Sequence, residues 1–203
     1  MAPKYKLHYF DTAGRAEVIR WIFAHAGQEF EDNRIKKADW PALKATTPNG
    51  QLPYLEVDGK LLFESIAIAR FVARKTGLTG KDDFEAAQAD ALVDYCSDAA
   101  KGLLAVLHEP DEKKKLALKE EYLKVGVQPY LKALERHLQA NKNGEGFFVG
   151  DKPTWADLAI ANFLDNVSPQ SDFLEDYHLL KAHRQRVHEL KGIKEWLAKR
   201  PVN

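Results

Sequence analysis

Three short stretches in the first third of the chain carry groups suited to hold a small anionic or peptide-like ligand. Tyr9 comes near the end of a strand-like run, Tyr5-Lys6-Leu7-His8-Tyr9-Phe10, and Arg15 opens the helix-like run behind it. A tyrosine at a strand end can donate its hydroxyl into a cleft; the same residue type also serves as a core or rim aromatic. Asn49-Gly50-Gln51-Leu52-Pro53 precedes a second strand-like run. If the Leu52–Pro53 bond is cis, the Leu52 backbone turns outward and is free to pair with an extended peptide, whereas a trans proline makes an ordinary turn. Glu64-Ser65 stands where a helix begins. Unpaired backbone N–H groups at such a start, with a serine hydroxyl, make an anion site; a serine there is also a common N-cap.

Other chemistries lack their residues. There is no Gly-rich phosphate loop of the Walker or GxGxxG kind and no GxSxG nucleophile turn. The single cysteine, Cys96, excludes an internal disulfide and any CxxC motif. It falls in mid-helix beside Tyr95 and reads as a small buried apolar residue. The seven histidines are scattered. His183 and His188 have no acidic or cysteine partner at metal spacing and read as exposed helix histidines. Lys113-Lys114-Lys115 reads as a solvated helix start, and no metal site is expected.

The elements that must position these residues follow from periodicity. Residues 4 to 10 predict a strand, and residues 15 to 26 a helix in which Ala16, Val18, Ile19, Ile22, Phe23 and Ala26 recur at spacings of three and four, with Gly27 as its stop. Residues 30 to 35 predict a second strand, and Trp40 to Thr47 one or two helical turns between Pro41 and Pro48. Asp58-Gly59 between two apolar runs, 54 to 57 and 60 to 63, is a strong hairpin signal. A helix from Ser65 closes at Gly77. Beyond a charged linker, residues 78 to 83, the strand signals stop. Helices are predicted over 84 to 108, 113 to 140 with bends at Gly126 and Pro129, 155 to 167, 178 to 190 and 192 to 199. Thr154 and Asp157 stand at capping-box spacing ahead of an almost uncharged, buried run. The expected architecture is an α/β domain over 1–79 and an all-α domain over 84–203.

Composition agrees with a folded chain. Of 203 residues, 45 % are apolar, and 30 basic residues balance 30 acidic ones. That balance argues against nucleic acid as a partner. No stretch approaches the length of a membrane span, and the N-terminal residues carry charge too early for a secretory leader, so a cytoplasmic protein is expected.

The small α/β domain, short linker and helical domain resemble the cytosolic glutathione transferases over essentially the full length, with a thioredoxin-like N-terminal domain. The detail is similar to the sigma class, which includes a prostaglandin D synthase, invertebrate detoxifying transferases and lens crystallins. The stretches carrying the resemblance are Tyr5 to Phe10, Gly14-Arg15-Ala16-Glu17, Ala38-Asp39-Trp40-Pro41, Gly50-Gln51-Leu52-Pro53, Glu64 to Arg70 and Thr154-Trp155-Ala156-Asp157.

The resemblance implies a catalytic Tyr9, donating its hydroxyl to the glutathione sulfur, with Arg15 supporting that bond electrostatically. It implies Trp40 and Lys44 at the glycyl end, and the turn of Gly50, Gln51, Leu52 and Pro53 at the cysteinyl part. Glu64 and Ser65 would hold the γ-glutamyl end. In a homodimer, Asp98 would reach the γ-glutamyl ammonium of the neighbouring site. Glutathione is then a co-substrate, with no tightly bound cofactor, and the helical domain supplies dimer contacts and the surface for a small hydrophobic electrophile. The chain departs from the pattern in three places. Gln51 stands where several sigma members carry Lys, Ser97 where the synthase has a third interface acid beside Asp94 and Asp98, and Ala105 where the synthase has a pocket Trp. Two alternatives stay open: a glutathione-dependent prostaglandin D isomerase, and a crystallin-like structural protein on the same fold.

Overall fold

The computed structural model describes residues 3–167 and 171–201; Met1 and Ala2, part of the N-terminal stretch weighed above, lie outside them. Two compact units emerge, Met1–Leu78 with Glu189–Asn203, and Thr79–His188.

The first unit opens with β1 (Tyr5–Phe10), a tight 3-10 turn at Gly14–Ala16, α1 (Glu17–Ala26) and β2 (Glu31–Ile35). A short helix α2 (Trp40–Leu43) runs into a 3-10 turn at Lys44–Thr46, followed by β3 (Tyr54–Val57), β4 (Lys60–Phe63) and α3 (Ser65–Thr76). The sheet order is β2-β1-β3-β4, with β1 parallel to β2 and antiparallel to β3. The hairpin between β3 and β4 has φ of 50° at Asp58 and 80° at Gly59, the doubly left-handed turn that suits strand twist. One face of β1 buries Tyr5, Leu7 and Tyr9, with His8 buried on the other, while α1 buries Ile19, Ile22 and Phe23 and packs on α3. Gly27 and Gly77 end their helices in left-handed conformation, as their positions predict.

Two charges are buried on that same face of α1, Glu17 and Arg20. The Glu17 carboxylate accepts from Trp21 at 3.1 Å, Trp196 at 2.9 Å and Arg200 at 2.8 Å. These last two partners explain why the final helix, α9 (Ile193–Lys199), packs on α1 and is counted with the first unit. Gly192 ahead of it has no room for a side chain: a Cβ would stand 2.1 Å from the Ala24 carbonyl oxygen. A helical pattern does not say which neighbour a helix packs on, so the contact of α9 with α1 is not visible in the sequence.

The second unit holds α4 (Asp83–His108), α5 (Glu112–Glu121), α6 (Gln128–Ala140), α7 (Trp155–Val167) and α8 (His178–His188). The bend expected between α5 and α6 is a π-turn at Tyr122–Gly126. There the Tyr122 ring fills the space left by Gly102 and Gly126, and its hydroxyl donates to the Ala99 carbonyl. Almost every residue of α7 is buried. Asp157 reaches back to the Thr154 N–H at 2.7 Å, as the spacing predicts, and also accepts from Phe148 N–H at 2.8 Å.

The histidine expectation needs correction. His183 is fully buried, with Nε2 2.8 Å from Asp157, and half-buried His188 lies 3.0 Å from Asp165. Both acids come from α7, 26 and 23 residues away, so short-range spacing could not reveal them. Among the described residues no helix is long and apolar enough to cross a membrane, and no group of three ligating side chains is arranged to hold a metal.

Candidate functional site

The first unit carries a shallow, open cleft where the segments at Arg15, 49–53 and 63–65 meet. Six of the expected residues line it: Arg15, Gln51, Leu52, Pro53, Glu64 and Ser65. Asn49, the first residue of the turn singled out from sequence, lines it as well, and so does Phe63, which was read only as the end of a strand.

Beside the cleft, β1 delivers Tyr9. Its side chain is buried, and its hydroxyl oxygen accepts the backbone N–H of Arg15 at 3.1 Å. Arg15 was expected to support Tyr9 by charge; the bond in the structure is made by its main chain, while its exposed side chain faces the cleft. The contact depends on Gly14, whose φ is 44°. A Cβ there would lie 2.6 Å from the Tyr9 oxygen.

Because the oxygen accepts from an N–H, the phenol's own proton is left to donate elsewhere. The ring of Tyr9 meets Phe10 edge-on at 5.6 Å, and Phe10 meets Trp40 in the same way at 5.4 Å. This aromatic row ties β1 to α2. Lys44, one turn further on, runs beside Gly50, whose Cβ position is 3.6 Å from the Lys44 Cε. Trp40, Lys44 and Gly50 thus belong to the loop cluster on this side of the unit without lining the cleft itself.

The turn at 49–53 contains the cis peptide bond Leu52–Pro53, one of the two alternatives open in the sequence. At the opposite wall, Glu64 holds the cap position of α3 with φ 70° and ψ 114° and makes no side-chain capping bond. A non-glycine residue there is uncommon and costs on the order of 1–3 kcal/mol, the kind of constraint that clusters at functional sites. Ser65 is consequently the first helical residue and not the cap. Asp98 lies in the second unit on α4, exposed and paired with Lys101 at 2.7 Å.

Sequence reasoning missed Arg20. Its side chain is fully buried one helical turn beyond Ala16, and its guanidinium carbon sits 5.9 Å from the centre of the Tyr9 ring. The signal was present: Ala16, Arg20 and Phe23 recur at helical spacing, so a permanent charge stands on the apolar stripe of α1.

Comparison with known proteins agrees with the architecture. Residues 5–74 match the family description "Glutathione S-transferase, N-terminal domain", and residues 97–200 match "Glutathione S-transferase, C-terminal domain". The chain is 44 % identical to Glutathione S-transferase 1 of Ascaris suum, with 98 % of each covered. A solved glutathione transferase described as specific to the nematode Caenorhabditis elegans superposes with a TM-score of 0.90 at 41 % identity, covering 99 % of both chains. The structure of prostaglandin synthase D of Nilaparvata lugens superposes with a TM-score of 0.89 at 37 % identity, covering 98 % of this chain and all of that one.

Proposed function

The chain belongs to the glutathione S-transferase family, and from that premise we propose that it is a sigma-type, cytoplasmic homodimer that joins the glutathione thiolate to small hydrophobic electrophiles. The observation that carries the proposal is the Tyr9 hydroxyl, which accepts the Arg15 N–H and so keeps its own proton for a sulfur in front of it. A free thiol has a pKa of about 8.5, so only a few per cent is thiolate at neutral pH. A donor aimed at the sulfur, beside the Arg15 cation, favours the charged form. A drop of two units corresponds to about 2.7 kcal/mol and makes thiolate the main species. Its intrinsic nucleophilicity falls less than its population rises.

The remaining contacts orient the tripeptide. Ser65 and the first N–H groups of α3 take the γ-glutamyl carboxylate, with Glu64 beside them. The Leu52 backbone, held in the turn of Gly50, Gln51 and Pro53, pairs with the cysteinyl part. Trp40 and Lys44 hold the glycyl carboxylate, and the partner subunit's Asp98 meets the γ-glutamyl ammonium. The thiolate then attacks the electrophilic carbon. The C–S bond forms, the leaving group departs with its electron pair, and the thiol proton has already passed to water. The nucleophile comes from the co-substrate, so the chemistry draws on no metal or resident cofactor, and fixed approach supplies much of the acceleration.

The test is conjugation of glutathione to 1-chloro-2,4-dinitrobenzene by wild type and Tyr9→Phe. Removing one preorganised donor is expected to lower kcat/KM by about a hundredfold. Wild type that binds glutathione without turnover would instead favour a crystallin-like or carrier role. The likeness to the prostaglandin synthase D structure supports a second activity, isomerisation of a prostaglandin endoperoxide, to be assayed on the same two proteins.

A further inference from the structure

We propose that Arg20 is a positioning residue for this reaction, fixing the loop that presents the Arg15 N–H to Tyr9 and holding a permanent cation against the Tyr9 ring. The inference rests on the reading of Tyr9 as the sulfur's donor. The Arg20 guanidinium is fully buried, and such a charge is costly unless opposite charges and acceptors meet it. Here Nε donates to Asp32 at 3.0 Å and Nη1 to Glu17 at 3.2 Å. The same Nη1 donates to the carbonyls of Thr12 at 2.8 Å and Ala13 at 3.3 Å.

Those two carbonyls set the geometry. They belong to consecutive peptide planes immediately before Gly14, so pinning both leaves Gly14 as the pivot. With its φ of 44°, Gly14 directs the next amide, that of Arg15, to the Tyr9 oxygen. Nη2 is buried and finds no hydrogen-bond partner among the described residues, and the guanidinium carbon lies within cation–π range of the Tyr9 ring at 5.9 Å. One buried side chain thus fixes the loop whose amide meets the Tyr9 oxygen and packs its cation on the Tyr9 ring, without lining the cleft.

The full-length protein is titrated with glutathione bound, following thiolate by its ultraviolet absorbance, in wild type, Tyr9→Phe, Arg20→Lys and Arg200→Met. Arg20→Lys keeps the charge for Glu17 and Asp32 but loses the planar fork. Its bound-thiol pKa is expected to rise by about one unit, which is about tenfold less thiolate at lower pH, with kcat/KM falling in step. The KM for glutathione is expected to stay unchanged. Arg200→Met weakens the same carboxylate hub away from the loop and should lower the melting temperature with no change in the pH profile. An unshifted profile in Arg20→Lys, or an equal shift in Arg200→Met, overturns the proposal. If Arg20→Lys does not fold, Asp32→Asn is read in its place, with a smaller upward shift expected and an unshifted profile again overturning it. A wild type whose bound thiol titrates like Tyr9→Phe would defeat the Tyr9 reading as well; a normal Arg20→Lys beside a defective Tyr9→Phe defeats this inference alone.

Discussion

Tyr122 donates its hydroxyl proton to the Ala99 carbonyl at 3.0 Å, and Tyr177 donates its own to the Gln128 side chain at 2.6 Å. Tyr9 differs in kind, because the partner of its oxygen is an N–H. The difference is worth testing through Gly14. Gly14→Ala places a methyl 2.6 Å from the Tyr9 oxygen on a backbone with φ of 44°. Steady-state kinetics should show kcat falling by about tenfold or more, since misplacing a catalytic group by about an ångström has that scale of effect. An unchanged kcat would mean that the Arg15–Tyr9 bond does not matter. Ser65→Ala should separate the other way: losing one hydrogen bond to a charged group, about 1.5–3 kcal/mol, raises the glutathione KM about tenfold or more while kcat holds. Tyr9, Ser65 and the Leu52–Pro53 turn were legible because each stands at an element boundary marked by short-range pattern. The main-chain role of Arg15 was not, because residue types do not report which atom makes a bond.

At the scale of elements, α7 shows where local reading ends. The Thr154–Asp157 spacing announced a capping interaction, and the structure adds two donors that no local pattern contains, Phe148 N–H and His183. Asp157→Ala strips the acceptor from buried groups on three segments. The cost should be about 3 kcal/mol, since each unsatisfied buried donor costs about 1–3 kcal/mol and part of the site relaxes. For a chain of this size that is a fall in Tm of roughly 6–12 °C, readable by calorimetry. A fall no larger than that of an exposed-site control would show that the carboxylate is not the organising group of this element. Helix positions, the hairpin and the bent α5–α6 segment were all legible from periodicity and from Gly and Pro. The partner of each helix was not, and the burial of His183 followed from that missing piece.

For the whole chain, the unexpected feature is the return of α9 to α1 through Glu17. Burial alone would raise this carboxyl's pKa; the hydrogen bonds from Arg200 and Trp196 and the charges of Arg200 and Arg20 outweigh it and hold it below the ordinary value of 4.5. A depressed folded pKa contributes stability that is fully present above the unfolded value and is lost as pH falls through the folded one. The urea midpoint should therefore hold from neutral pH to about pH 5 and then decline, and Glu17→Gln should flatten part of that decline. An identical acid slope in both proteins would remove Glu17 from the pH response. Above all, the ultraviolet titration of glutathione bound to the intact chain, wild type against Tyr9→Phe, goes directly to the donor. A bound-thiol pKa well below the free value of about 8.5 in wild type, returning toward it in Tyr9→Phe, is the predicted result. The same pKa in both proteins would contradict the role of Tyr9.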